Sequence, residues 1–192
     1  MEQTNPWAGP LTSASDLPES TYTRPPRQER VWKPGAQVNM ASGLPIVSAK
    51  GQDCPLWVVA AHGGAGATSW ARLLGAGDAG ASWPDPSGFT RAVVVARESF
   101  VGLKAAQGAA IQWASGQVEH VELAGLILSA DVPGRTPKEL VEYRRRVAGA
   151  FPRVWRVGFQ SAWRTQLAWD APVSKDVRKV LKDVSLIGKE SQ

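Results

Sequence analysis

The sequence predicts an α/β fold in which a small, mostly parallel sheet is flanked by helices. Along residues 56–184, short apolar runs alternate with segments of helical spacing, and this order is typical of parallel strands joined by crossover helices. The apolar runs are continuous rather than alternating, as in strands that are covered on both faces. A glycine-rich turn follows the first of these runs, at the end of the strand where parallel sheets bind their ligands.

The predicted elements follow one another in a regular order. Strands are predicted at 56–61, 92–96, 121–130 and 154–159, and helices at 68–74, 101–114, 137–149 and 173–184. Residues 75–88 are rich in Gly, Ala, Pro and Asp and predict a loop, and residues 161–167 predict a turn or helical start. Ser99 is placed to cap the second helix. Thr136 and Glu139 have the spacing of a capping box around Pro137 at the start of the third helix.

The chain of 192 residues divides into three parts. Residues 1–50 contain seven prolines and few aliphatic clusters, so they bury too little apolar area to offset the entropy of ordering, and we expect a flexible leader. We expect one α/β domain over residues 51–171. Residues 172–192 predict an amphipathic helix and tail, because apolar residues recur there at helical spacing, at Val173, Val177, Val180, Leu181 and Val184.

Composition excludes several classes of protein. The hydrophobic share of 43% and the charged share of 20% are ordinary for a soluble globular protein. No apolar run approaches the roughly 18–20 residues of a membrane span, and no secretory signal is evident, so we expect a cytoplasmic protein. The single cysteine, Cys54, excludes an internal disulfide framework. The two histidines, His62 and His120, are too few for a histidine-based metal site.

The glycine-rich turn has the pattern of a degenerate phosphate-binding loop. Glycines without a Cβ let consecutive amides face one anion, and the following helix adds partial positive charge. Set against G-x-x-x-x-G-K-[ST], residues 61–68 keep the second glycine as Gly66 and the hydroxyl as Thr68. Ala61 replaces the first glycine, and Ala67 replaces the lysine that would reach the β- and γ-phosphates. The loop therefore predicts nucleotide binding, with Mg²⁺ at Thr68, rather than efficient hydrolysis. A turn that serves only close packing is the alternative.

The segment HGGAGATS at residues 62–69 resembles the deviant Walker loop of the ParA/MinD family of partition and positioning ATPases. Three glycines and two hydroxyl residues match, at Gly63, Gly64, Gly66, Thr68 and Ser69. Both lysines of that family are missing, since His62 and Ala67 stand in their places. The resemblance implies a P-loop NTPase-like fold that binds ATP or another nucleotide with Mg²⁺. It implies that the whole loop contacts the nucleotide, namely His62, Gly63, Gly64, Ala65, Gly66, Ala67, Thr68 and Ser69.

The order of later segments is also similar to that family. The segment LAGLILSADVPGR resembles the strand that carries a polar residue near the base, which implies that Asp131 contacts the nucleotide, flanked by Pro133 and Arg135. The alternative for Asp131 is a cap on its own turn. The Walker B carboxylate is not found, because Asp78 and Asp85 lie in the short connection after the first helix. No catalytic residue is assigned on this basis.

These patterns favour a catalytically weak or inactive P-loop protein that acts as a nucleotide-responsive or structural member of a bacterial assembly, with a protein partner or as a homodimer. One alternative is a slow ATP hydrolase that takes its missing cation from Arg72, Arg97 or Arg135. Another is a basic DNA-binding accessory protein, since residues 135–164 carry eight basic and two acidic side chains. Its candidate contacts are Arg135, Lys138, Arg144, Arg145, Arg146, Arg153 and Arg156.

Overall fold

The computed structural model describes residues 43–49 and 54–189. Residues 1–42 and 50 of the predicted leader lie outside the described residues, as do 51–53 and 190–192. The strands are β1 Ile46–Ser48, β2 Leu56–Ala60, β3 Gly77–Asp78, β4 Trp83–Asp85, β5 Thr90–Glu98, β6 Val121–Ala130 and β7 Val154–Val157. The helices are α1 Ala67–Leu74, α2 Phe100–Ala114, α3 Lys138–Ala148 and α4 Lys175–Lys189, with a 3₁₀ turn at Ser161–Arg164.

Five strands form one parallel sheet in the order β3-β2-β5-β6-β7. The predicted α/β class with a mostly parallel sheet is thereby confirmed. Strand β2 and residues 92–96 of β5 consist of valines, alanines and other apolar residues that are buried on both faces. Their burial explains why their apolar runs are continuous rather than alternating.

Two apolar layers cover the sheet, one on each face. Residues that alternate along β2 point to opposite layers: Val59 belongs to the cluster with α2 and α3, and Val58 belongs to the cluster with α1 and α4. Trp70 of α1 is fully buried in the second cluster, together with Val180 and Val184 of α4. The predicted C-terminal amphipathic helix therefore packs its apolar side on the sheet.

The connection at 75–88 was expected to be a loop, and this prediction is wrong in part. It contains β3, which forms an edge of the sheet beside β2, and β4, which pairs in parallel with β1. Strand β1 itself lies in the segment expected to be a leader. Strands β3 and β4 have two and three residues and include Gly, Asp and Pro, so their own sequence carries no strand pattern, and neighbouring backbone determines them.

A polar side chain of α2 links the small sheet to the rest of the fold. The buried Trp83 of β4 donates from Nε1 to Oε1 of Gln112 at 3.0 Å. Gln112 in turn donates from Nε2 to the carbonyl of Leu44, just before β1, at 2.9 Å. Both polar ends of a buried amide are thus satisfied, as burial requires.

The two predicted helix starts have different outcomes. Ser99 does cap α2, because its hydroxyl accepts from the Gly102 amide at 3.1 Å. The capping box of α3 is wrong: the cap position is Pro137, and no side chain bonds the free amides there. The hydroxyl of Thr136 instead donates to Glu98 at 3.3 Å and accepts from Arg156 at 3.1 Å. Charged partners therefore compete successfully for the capping hydroxyl.

None of the described helices combines the length and the apolar character that crossing a membrane requires.

Candidate functional site

The loop between β2 and α1 is a tight turn that needs glycine. Gly64 and Gly66 have φ angles of 76° and 97°, in the left-handed region that residues with a Cβ rarely adopt. The amide of Ala65 donates to the carbonyl of His62 at 3.2 Å and closes the turn. Ala65 and Ala67 are buried, so they pack the underside of the loop rather than face a ligand. The sequence pattern located this turn correctly.

Several backbone amides of this loop lack protein partners. Within residues 43–49 and 54–189, no acceptor is bonded to the N–H groups of Gly63, Gly64, Gly66, Ala67 or Thr68. Helix α1 begins at Ala67 with Gly66 as its cap and has no side-chain cap. Unbonded amides at a helix start, together with the helix dipole, favour an anion.

A cleft of about 510 Å³ opens at the carboxyl ends of the sheet strands. Its walls come from residues at or just after the carboxyl ends of four strands of the sheet, which is where parallel α/β sheets bind ligands. The lining residues are His62, Gly63 and Gly64 after β2, Arg97, Ser99, Val101 and Gly102 at the β5–α2 junction, Asp131 after β6, and Phe159 and Arg164 after β7.

Two arginines make this cleft suitable for an anion. Arg97 donates from Nε to the carbonyl of Gly64 at 3.3 Å, so its guanidinium lies against the glycine loop. Arg164 lines the cleft from the 3₁₀ turn and forms no ion pair with any residue in the described part of the chain. Asp131 is the single acidic residue of the lining. The side chains of the cleft therefore carry a net positive charge.

The imidazole of His62 forms two hydrogen bonds inside this region. Its Nε2 accepts from the backbone amide of Arg97 at 3.1 Å, and its Nδ1 lies 2.8 Å from the carbonyl oxygen of Gly63. The carbonyl can only accept, so Nδ1 carries the proton and Nε2 presents its lone pair. His62 is therefore neutral in this arrangement and cannot supply the charge of a lysine.

Thr68 and Ser69, expected to face the nucleotide, lie on the first turn of α1 and do not line the cleft. The hydroxyl of Thr68 donates to Oδ2 of Asp78 at 2.7 Å, and Oδ1 of Asp78 accepts from the Gly80 amide at 2.9 Å. Asp78 ends β3, the strand beside β2. The sequence analysis placed Asp78 in a connection without strands, and it instead ends β3, a strand of only two residues that has no apolar run to reveal it.

Other predicted residues lie outside the cleft. Pro133 and Arg135 are exposed in the loop between β6 and α3, and Arg135 lines a separate groove of about 30 Å³ next to Asp131. The guanidinium of Arg72 lies 4.6 Å from the centre of the Trp169 ring. Of the three candidates for a borrowed cation, only Arg97 reaches the glycine loop.

The predicted basic surface is partly used within the protein. The carboxylate of Glu98, with 1% of its side chain exposed, is paired with Arg144 of α3 and with Arg156 of β7. The Nε of Arg156 lies 2.8 Å from Oε2 of Glu98. The arginine triplet on α3 is therefore not one uniform exposed arc, because Arg144 turns inward while Arg145 and Arg146 are exposed.

A family model described as "Family of unknown function (DUF6668)" matches residues 54–181. The chain belongs to the DUF6668 family. The matched range of this DUF6668 protein includes every residue that lines the cleft. Comparison with curated proteins and with solved structures gave no match.

Sequence reasoning did not assign the cleft residues at the start of α2 of this DUF6668 protein to a site, namely Ser99, Val101 and Gly102. It also missed Phe159 and Arg164. Both follow β7, whose carboxyl end lies at the same edge of the sheet as the glycine loop. Their position after a predicted strand was the available signal. Which side chains of that segment turn into the cleft depends on the 3₁₀ turn at Ser161–Arg164, and no periodicity in the sequence specifies it.

Proposed function

We propose that the protein binds the phosphate groups of a nucleotide in the cleft at the carboxyl edge of the sheet and does not hydrolyse it efficiently. The observation that carries the proposal is the meeting of an amide-rich glycine loop with two arginines in one cleft of about 510 Å³. That volume lies in the range of small-molecule sites, roughly 300–1,000 Å³. The resemblance of residues 62–69 to the ParA/MinD loop supports a nucleotide over other anions.

The charge distribution supports an anionic ligand. Unbonded amides of Gly63 and Gly64 give the loop partial positive charge, and Arg97 and Arg164 add two full charges. Arg97 comes from the neighbouring strand, so a cation approaches the loop even though Ala67 stands at the lysine position. Phe159 offers an aromatic surface for a base in the same cleft, and Asp131 offers an acceptor.

The same residues also support the second part of the proposal, that hydrolysis is inefficient. Arg97 is bonded to the loop carbonyl of Gly64 and belongs to β5, the central strand of the sheet, whereas the missing lysine would approach the phosphates from the loop itself. Within the described residues, no acidic side chain other than Asp131 lines the cleft, and Asp131 is also the residue proposed to contact the base. A general base for an attacking water is therefore not assigned, and the proposed role is that of a nucleotide-responsive protein.

Isothermal titration with ADP and with pyrophosphate tests this proposal. Both ligands should bind the wild type, and Arg164→Ala should weaken both by about tenfold, because a charge-assisted contact to phosphate contributes about 1.5–3 kcal/mol before solvent screening. The matched control is Arg153→Ala, since Arg153 is exposed just before β7 and does not line the cleft. Absence of ADP binding to the wild type, or equal losses in both variants, would contradict the proposal.

The Thr68 and Asp78 pair joins the start of α1 to the end of β3, outside the cleft lining, and we propose that it holds a magnesium ion only together with a nucleotide whose phosphates reach the start of α1. A hydroxyl and a carboxylate are ligands that Mg²⁺ prefers, and protein sites usually complete its shell with phosphate oxygens and water. The described residues contain no cluster of three or more His, Cys, Asp or Glu side chains that could hold a metal alone. When bound, the ion would neutralise phosphate charge.

The expected result is that MgCl₂ alone leaves the melting temperature unchanged but tightens ADP binding. Asp78→Asn should remove most of this magnesium-dependent gain while preserving magnesium-free ADP binding, because the amide keeps the size of the carboxylate but not its charge. Asp85→Asn is the matched control, as Asp85 ends β4 in the small sheet. The magnesium assignment fails if Asp78→Asn retains the full gain.

A further inference from the structure

His62 is placed where strand β2 stops and the sheet would otherwise lose a hydrogen bond. The amide of Ala61 donates to the carbonyl of Val95 at 2.9 Å, which is the last backbone bond between the two strands there. Two residues further along β5, the Arg97 amide donates to the imidazole of His62 instead of to backbone. The ring therefore extends the ladder by one bond beyond the end of β2.

The second bond of the ring reaches the glycine loop. Because Nδ1 donates to the carbonyl of Gly63, one imidazole joins the backbone of the loop to the backbone of β5. Arg97 also donates to Gly64 from its side chain at 3.3 Å. The loop and its arginine are thus held in register by one neutral histidine and one guanidinium.

Helix α2 confines this arrangement from the third side. A Cβ at Gly102 would lie 3.0 Å from Nε2 of His62 and 2.2 Å from the carbonyl oxygen of Arg97. The first turn of α2 therefore comes as close to the ring and to β5 as a residue without a side chain allows. A protonated Nε2 would direct its proton at the Arg97 amide, which is itself a donor, and the close approach of α2 leaves little space for another acceptor on that side.

We propose that His62 is a positioning residue of the cleft: its neutral imidazole holds Gly63 and Arg97 in place, and its protonation releases them and weakens anion binding. This inference rests on the proposed function. Protonation converts Nε2 from an acceptor into a donor that faces the Arg97 amide, so the bond between β5 and the loop is lost. The charged groups that line the cleft together with the ring are Arg97, Arg164 and Asp131, and the lining residues of α2, Val101 and Gly102, are uncharged.

The sign of the pH effect separates this role from simple electrostatics. An additional positive charge in the cleft would by itself tighten anion binding at low pH. Loss of the hydrogen bond between the His62 ring and the Arg97 amide has the opposite effect, because the amides of Gly63 and Gly64 and the guanidinium of Arg97 are no longer aligned. The two effects therefore predict opposite changes of anion affinity when the ring is protonated.

The experiment uses sulfate, which keeps its double charge at both pH values compared, and follows the amide resonances of Gly63 and Gly64 by NMR. The wild type should bind sulfate about tenfold more weakly at about pH 5.5 than at about pH 8. His62→Gln should bind at both values with the affinity of the wild type at high pH, since its carbonyl oxygen accepts from the Arg97 amide and does not titrate. His62→Ala should bind weakly at both.

Three outcomes would overturn the role of His62: wild-type affinity that is constant or rises as the pH falls, a His62→Gln variant that keeps the wild-type pH dependence, or imidazole ¹⁵N shifts that place the proton on Nε2. The last measurement needs no ligand and no variant. It therefore tests whether His62 bonds Gly63 and the Arg97 amide as proposed, even if His62→Gln fails to fold. Absence of sulfate binding at both pH values, with the proton on Nδ1, would instead remove the proposed anion site and this regulation with it.

Discussion

Gly102 is the residue at which α2 comes closest to β5. A side chain there would meet the carbonyl oxygen of Arg97 at 2.2 Å, and backbone cannot move aside as a flexible side chain can. On the same helix, a Cβ at Gly108 would meet no atom within 4 Å, so this glycine simply weakens helix propensity. Two glycines of one helix therefore differ in what a side chain would do to the fold.

Exchange of these two glycines for alanine should change stability in opposite directions. Gly102→Ala should lower the free energy of unfolding by about 1–3 kcal/mol, because the helix must shift away from β5. Gly108→Ala should raise it by about 0.5–1 kcal/mol through better helix propensity. Urea denaturation followed by circular dichroism measures both. Equal midpoints for the two variants would contradict the close approach of α2 to β5.

The carboxylate of Glu98 connects three elements of the fold. It lies at the end of β5, pairs with Arg144 of α3 and Arg156 of β7, and accepts from Thr136 in the loop before α3. A buried carboxylate needs such partners, since burial of an unpaired charge is strongly unfavourable. The cluster therefore holds α3 and the β6–α3 loop against the sheet, beside the edge that carries the cleft.

Arg144→Ala should destabilise the protein more than Arg145→Ala. Removal of Arg144 leaves Glu98 with one arginine and one hydroxyl, and we expect a loss of about 1–3 kcal/mol in the free energy of unfolding. Arg145 is exposed on the same helix, so its replacement should stay within about 0.5 kcal/mol. Thermal and urea unfolding provide the comparison. Similar small losses for both would show that the Glu98 cluster contributes little.

The difference between the paired Arg144 and its exposed neighbours also determines which variant can test DNA binding through α3. A triple replacement of Arg144, Arg145 and Arg146 would combine lost surface charge with damage to the Glu98 cluster. A double variant of Arg145 and Arg146 leaves the Glu98 cluster intact and removes two exposed charges, together with the contact of the Arg146 guanidinium with the Tyr143 ring at 5.4 Å. It is therefore the appropriate variant for the DNA-binding alternative, with affinity measured at several salt concentrations.

At the scale of the whole molecule, the cleft is assembled from segments that follow β2, β5, β6 and β7. None of these segments forms the site alone, so the site exists only when the parallel sheet is complete. A ligand that binds this cleft binds the folded state and not the unfolded chain. Ligand binding should then stabilise the entire domain.

Saturating ADP should therefore raise the free energy of unfolding. At a concentration of 100 times Kd, the expected increase is about 2.7 kcal/mol, measured from urea unfolding with and without ligand. Arg164→Ala should show a smaller increase at the same ADP concentration, whereas Arg153→Ala should keep the full one. An increase that is the same in all three proteins would place ADP outside the cleft.

The sequence alone determined the parallel α/β class, the main strands and helices, and the glycine turn after the first long strand. Continuous apolar runs, helical spacing and left-handed glycines are local properties, so they can be read from neighbouring residues. Local pattern also placed Gly63, Gly64 and Asp131 at the correct edge of the sheet, since the ends of parallel strands share one edge.

Only the tertiary structure decided which side chains meet. The two-residue strand that ends in Asp78, the inward turn of Arg144 and the entry of Arg164 and Phe159 into the cleft each depend on residues far away in the chain. Thr136 was predicted to cap α3, but its hydroxyl instead forms hydrogen bonds with Glu98 and Arg156. Which of these contacts forms depends on competition between polar groups that are distant in the chain. A local sequence pattern does not specify which of those groups come close together in the fold.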